Sequence, residues 1–459
     1  MSVRRTLFTG GTVISESGAT REDLLVEDGA VVGRGQVVSP AADVVDCSGL
    51  LILPGLVDPH VHFCLEANGL ATADDVATGS RSAVVGGVTT VADFTEPAGD
   101  SVRRTVMAHR RTWQPAACDW AAHVVVAACD GAGASEISEL AAAGELRSVK
   151  VFTAYRRRGL FSDDEALFRV LEASAGGEFV TLVHAENEGI IAVLEGRFRG
   201  GCAGAIAVAR SRPPEAEEEA VNRVLVFAAS CQGRVHLVHL SCEGSVRRLA
   251  EGRAAGIWAS GETCPHYLVL TEDLLAGSDG HRYATAPPLR TAAHAAALWT
   301  ALARRAVQVI ATDSCGFSAT AKDQWAGDFT RIPGGVPGVE VSLRVMMGEG
   351  VQRGRIGMPD LVRLMSGNPA RLLGAYPRKG CLDVGSDADI IVLDPEGRAP
   401  VDTHALTSRA GWSPYQGLMT IPPPERVYLR GTQVAARGRY VGEGVSGRPI
   451  ERGRPIYPL

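Results

Sequence analysis

Six residues able to bind or bridge metal ions fall at or near the ends of short apolar runs: His60, His62, Lys150, His184, His239 and Asp313. In Leu56-Val57-Asp58-Pro59-His60-Val61-His62-Phe63, Asp58, His60 and His62 alternate with apolar partners, as inward and outward residues do along a β-strand. Both imidazoles then point one way, close enough to grip one metal ion. The competing reading is a pair of ordinary hydrogen-bonded core histidines. His184 shares a face with Val180 and Leu182. His236 and His239 are three apart and face opposite ways in a regular strand, so only one points inward; His239, nearer the C-terminal end, is the better candidate. Asp313 shares a face with Val309 and Ala311, and Lys150 is a charge inside the apolar Ser148-Val149-Lys150-Val151-Phe152.

The lysine is the odd member. An ammonium has no lone pair for a metal and repels one. Carbamylated by carbon dioxide, it becomes an anionic, carboxylate-like group able to bridge two cations. Four neutral imidazoles and two anions suit a pair of zinc ions, for which nitrogen and oxygen ligands are usual. Alone, Lys150 reads as a salt-bridged strand-end lysine. Five ligand-type residues at matching positions shift that reading.

The elements that must position these residues can be traced along the chain. Short apolar strands are expected at 56–62, 88–94, 122–128, 148–153, 179–185, 234–240, 257–262 and 307–313. Helical stretches lie between them, for example Asp163 to Ala175 and Glu215 to Ser230, where Val221, Val224, Leu225 and Ala228 keep one face apolar. The acidic run from Glu215 to Glu219 reads as a solvated first turn that suits the helix dipole. Eight strands alternating with helices predict an α/β fold, a (β/α)8 TIM-type barrel over residues 55–375, whose catalytic groups belong at the C-terminal ends of its strands. An open doubly wound sheet is the alternative, but no glycine-rich phosphate fingerprint follows the first strand. Residues 1–54 and 376–459 carry short β-like runs broken by Gly, Asp and Pro, which suggests that both ends meet in one small β-sandwich; two separate edges would fit the same texture.

Composition bounds the rest. The chain has 459 residues, 46% apolar and 21% charged, an ordinary balance for a soluble globular protein. A net charge of −6 without a basic cluster argues against nucleic-acid binding. No secretory signal and no bilayer-spanning apolar run is evident. Ten scattered cysteines with no Cys-x-x-Cys pair read as mostly reduced and buried, as in a cytoplasmic protein.

Ordered strings then carry a resemblance. They include Pro54-Gly55-Leu56-Val57-Asp58-Pro59-His60-Val61-His62, Thr72-Ala73-Asp74-Asp75, Lys150-Val151-Phe152-Thr153-Ala154-Tyr155 and His184-Ala185-Glu186-Asn187. Further on come His239-Leu240-Ser241, Glu262-Thr263-Cys264-Pro265-His266-Tyr267, Pro287-Pro288-Leu289-Arg290, Asn368-Pro369-Ala370 and Gly385-Ser386-Asp387-Ala388-Asp389. In these the chain resembles the cyclic amidohydrolases of the amidohydrolase superfamily, most of all the hydantoinase/dihydropyrimidinase branch. The glycine and proline strings are weak singly; the ordered ligand set is strong.

The resemblance implies that His60, His62 and Asp313 hold the more buried zinc and His184 and His239 a second, with carboxylated Lys150 and a hydroxide bridging them. It implies hydroxide attack on a ring carbonyl, with Asp313 as general base and then acid. Tyr155 would donate to the developing oxyanion, or else merely pack at a strand end. Asn368 would contact the substrate imide, or simply cap a helix starting near Pro369. Ala286 and Gly335 stand where the branch makes main-chain substrate contacts. A small cyclic ureide or imide is the implied substrate, and a homo-oligomer, a tetramer or else a dimer, the implied assembly.

Substrate choice within the family turns on departures. Dihydroorotase-like members place an arginine two residues past the second histidine; Cys64 stands there, which argues against a carboxylate-bearing ring. Allantoinases usually lack the tyrosine, so Tyr155 favours hydantoins or dihydropyrimidines, although His266 is more reminiscent of allantoinases. Ser314 replaces a usual histidine, Gly334 the asparagine of Asn-Gly-x-Pro-Gly, and Ala286 a serine, which suggests a substrate that is not quite the standard one. Some relatives have lost ligands and act as scaffolds; the ligand set here is complete.

Overall fold

The computed structural model describes residues 5–67, 69–99, 101–199 and 204–459. The first four residues, Asn68 and Cys202 lie outside them. Eight parallel strands pair in sequence order: Leu56–Val61, Val88–Phe94, Asp119–Val125, Ser148–Phe152, Val180–His184, Val235–Leu237, Ala259–Thr263 and Val309–Ile310. A parallel bridge from Val61 to Ser314 brings the first strand against the chain leaving the eighth. Asp58 braces the same seam, accepting from the Thr312 amide at 3.1 Å and hydroxyl at 2.5 Å. The result is a nearly closed (β/α)8 barrel. The third strand begins three residues before its expected start, because its ladder with Val88–Phe94 already starts at Asp119 opposite Thr90.

The helices start where the sequence offers caps. Asp75 makes a capping box with Thr78 ahead of Val76–Val85, Asp163 caps Asp164–Ala173 and Asn187 caps Glu188–Phe198. The acidic start of helix Pro214–Cys231 is solvated as expected only in part, with Glu215 and Glu219 exposed. Glu217 is buried, accepting from the Ser241 amide at 2.9 Å and pairing with Arg290 at 3.2 Å. Its position on the helix faces the barrel, and a buried carboxylate persists because it is paired.

Strands from both chain ends share one sheet. Leu51–Pro54 pairs antiparallel with Ile390–Leu393, inside seven strands that run from Arg439–Tyr440 to Gly18–Arg21. A four-stranded sheet of Arg5–Thr9, Asp23–Glu27, Ala30–Gly35 and Asp43–Asp46 packs on it through Phe8, Leu24, Val31, Ile52, Ile390 and Tyr428. Two stretches of the C-terminal part leave these sheets. Ser408 and Arg409 reach Asp74 near the barrel mouth. Residues 448–459 run along the opposite end of the barrel, at the strand starts. Among the described residues no helix is long and apolar enough to cross a membrane.

Candidate metal centre

His60 and His62 emerge at the C-terminal end of the first strand with their rings on one side. Each Nε2 lies 3.2 Å from Asp313 Oδ1, and ligand atoms of the three residues fall within 4.8 Å of one another. Across the cleft His184 Nδ1 and His239 Nε2 approach to 2.9 Å, and the His60 and His239 rings lie 5.5 Å apart. Lys150 Nζ sits 4.9 Å from the ring centres of both Phe94 and Phe152. All six residues line one cleft of about 620 Å³ at the C-terminal mouth.

Regular β alternation does not explain the convergence. The sixth strand ends at Leu237, and His239 takes a left-handed backbone with φ +42°. This turns it inward although His236 also points inward, so the expectation that only one of them could do so is corrected. His236 sits one layer deeper, with Nδ1 2.8 Å from Ser260 Oγ and Nε2 3.1 Å from Glu262 Oε2. Cys64, Tyr155 and Asp313 share the left-handed backbone, and all four line the cleft. Such strain costs about 1 kcal/mol or more per residue and concentrates at functional sites.

The charges are arranged for a cation. Burial works against the ionised forms, yet the Asp313 and Glu262 carboxylates outweigh it at His60 and raise it to about 9. Burial opposes ionisation of Asp313 too, but His60 and His62 hold it well below the usual carboxylate range. His184 and His239 are kept neutral, first by burial and then by neighbouring charges including Lys150. Burial lowers Lys150 to about 7. The lone pairs of the neutral His62, His184 and His239 rings and one carboxylate facing a common space fit a divalent metal with nitrogen and oxygen ligands. Among the described residues the buried His239 Nδ1 has no hydrogen-bond partner.

Groups behind the ligands were missed in the sequence. Glu262 accepts from His60 Nδ1 and His236 Nε2, and also from the His239 amide at 3.3 Å. Glu186 takes His184 Nε2 at 2.8 Å and pairs with Arg212, whose guanidinium lies 5.1 Å from the Tyr155 ring centre. The signal for Glu262 was the one used for Lys150, a charge inside a barrel strand.

Tyr155, Ala286 and Gly335 line the cleft. Tyr155 lies 4.8 Å from His184 ring to ring, and burial pushes its phenol up to about 12. Gly335 has φ +125°, and a Cβ there would lie 2.5 Å from Cys315 Cβ, so the position demands glycine. Asn368 is not among the cleft-lining residues. It opens helix Asn368–Leu372 with Nδ2 donating 2.8 Å to the Gln308 carbonyl, at the start of the eighth strand, so neither the substrate contact nor the cap stands. Ser314 accepts from the Gly338 and Val339 amides at 3.1 and 3.3 Å, bracing the Gly-x-Pro-Gly turn.

A barrel with this donor set at its catalytic mouth defines a metal-dependent barrel enzyme. The chain belongs to the amidohydrolase family, which it matches over residues 51–434. It is 32% identical to a D-hydantoinase of Geobacillus stearothermophilus over 98% of this chain and 96% of that one. With a D-hydantoinase of Rhizobium radiobacter the identity is 34%, over 96% and 97%. The crystal structure of a dihydropyrimidinase from Brevibacillus agri superposes with a TM-score of 0.96 at 32% identity, covering 99% of this chain and 100% of that one.

Proposed function

We propose that the protein opens a cyclic amide of hydantoin or 5,6-dihydropyrimidine type to an N-carbamoyl amino acid. The observation that carries this reading is the convergence of six donors from five strands on one cleft, in a chain similar to D-hydantoinases along its length. In this reading His60, His62 and Asp313 hold one zinc ion, His184 and His239 a second, and Lys150, carboxylated on Nζ, serves both. Bound metals would lower the pKa of water and polarise the ring carbonyl. With its pKa near 7, Lys150 has neutral amine available to form the N–C bond to carbon dioxide, losing a proton to solvent.

Asp313, ionised beside two imidazoles, accepts the proton of the attacking water and returns it to the departing ring nitrogen. Tyr155, held protonated, donates to the oxygen on which charge develops. Ala286 and Gly335 present backbone to the ring. Cys64 at the cleft edge leaves no guanidinium in that position for a substrate carboxylate. The same reading divides the chain into a sandwich of 1–54 with 376–459 and a barrel of 55–375, and makes the protein a cytoplasmic homotetramer.

Parallel assays of dihydrouracil, hydantoin, 5-substituted hydantoins and allantoin test the proposal. Opening of the first three classes is expected. Turnover of allantoin alone would make the protein an allantoinase, and a zinc-loaded protein inert toward all four would favour a scaffold.

A further inference from the structure

Residues 448–459 run along the end of the barrel opposite the cleft, where a plug of apolar side chains would suffice to keep water out. Tyr457 and Leu459 pack there against Val180, Leu182, Val238 and Leu372. Yet the segment also places two polar groups beneath the barrel. Tyr457 Oη lies 3.2 Å from Ser260 Oγ. The Arg452 guanidinium donates to the carbonyls of Leu373 and Ala122 and, at 3.0 Å, to Ser148 Oγ. Both residues are partly buried, and taking such groups even partly from water is costly unless their hydrogen bonds are used.

From each group a chain of contacts climbs toward the first strand. His236 Nε2 donates to the Glu262 carboxylate at 3.1 Å. Its Nδ1 lies 2.8 Å from Ser260 Oγ, which in turn shares a hydrogen bond with Tyr457 Oη. Glu262 is the end of that chain, and it also receives His60 Nδ1 and the His239 amide. The second chain has the same logic. His123 Nε2 donates to the Pro59 carbonyl at 2.8 Å, so its Nδ1 accepts from Ser148 at 2.7 Å, and Ser148 accepts from Arg452. One chain ends on the carboxylate that orients His60; the other ends on the residue before His60.

We propose that Tyr457 and Arg452 are positioning residues of the metal centre, fixing through these two chains the orientation of His60 and of the strand that carries it. The proposal rests on the metal reading above. A metal-ligating histidine almost always has its other ring nitrogen held by a partner, and partners behind ligands affect metal affinity measurably.

The test compares wild type, Tyr457→Phe and Arg452→Met, with Leu459→Ala as a control that loosens the same segment and touches neither chain. Zinc affinity is read by competition with a chromophoric chelator, and ligand geometry by the visible spectrum of the cobalt-substituted protein. Tyr457→Phe and Arg452→Met are each expected to weaken zinc binding by roughly three- to tenfold, about one hydrogen bond, and to shift the cobalt bands. Leu459→Ala should do neither. Unchanged affinity and spectrum in both polar variants would overturn the proposal, as would an equal loss in Leu459→Ala. A wild type that takes up no zinc would overturn the metal reading, and this proposal with it; normal wild-type loading with silent variants would remove only the role of Tyr457 and Arg452.

Discussion

Lys150 brings a primary amine among imidazoles and against two phenyl faces, where burial favours its neutral form. If that amine carries carbon dioxide to the metals, Lys150→Ala removes a ligand from both. Zinc content should then fall below one ion per chain, and turnover should drop by about a thousandfold or more, the loss typical of removing a core catalytic group. Elemental analysis beside kinetics, after growth with zinc and bicarbonate, checks this; an active, metal-replete variant would refute the bridging role. At the same scale the limits of sequence reading are plain. His60, His62 and Lys150 could be found because strand periodicity or an out-of-place charge marks them. His239 was found for a partly wrong reason, since its inward turn comes from a left-handed backbone that no spacing rule encodes. Asn368 was misplaced because its motif carries no information about which end of the barrel it faces.

Among elements, the barrel and the sheets are joined by a buried charge cluster. Lys379, 3% exposed, meets Asp119 of the third barrel strand at 2.6 Å and Asp387 and Asp389, just before the sheet strand Ile390–Leu393, at 2.9 and 2.8 Å. Its three carboxylates hold the ammonium well above the ordinary lysine range despite burial. Lys379→Met would leave buried Asp389 without its cation and Asp119 and Asp387 with only Arg430 and Arg378, and a loss of about 3–5 kcal/mol is expected in denaturant unfolding. A change under 1 kcal/mol would mean that the cluster does not tie the two parts together. The eight barrel strands were legible from apolar runs punctuated by turns. Glu217 was not, because an acidic first turn looks the same whether its middle carboxylate meets water or Arg290.

At the level of the whole molecule, stability should depend on pH through Lys322. Its Nζ donates to the Arg282 and Ala284 carbonyls at 2.8 and 3.0 Å, and burial lowers it from 10.5 to about 7. Between those values the unfolded chain binds a proton that the folded chain does not, so stability rises with pH across that window. Below about 7 both states are protonated and the penalty is complete. Lys322→Met should flatten the increase in thermal midpoint between pH 7 and pH 10. An identical slope in the variant would assign it to other groups.

Residue types and their local order alone determined the alternation of strand and helix, the barrel, and a set of ligand-type side chains at strand ends. These depend on periodicity and on steric rules that act within a few residues. Only the tertiary structure decided which polar residues share a space. Glu262 meets His60 across 202 positions of sequence, and Asp58 meets Thr312 across 254. Tyr457 reaches the same network from 197 residues beyond Ser260. Such contacts follow from how the barrel closes and where the last segment is laid, and side-chain chemistry at any one position does not specify them. Six ligand-type residues could be picked out from sequence; the carboxylates that hydrogen-bond His60 and His184 became visible only in three dimensions.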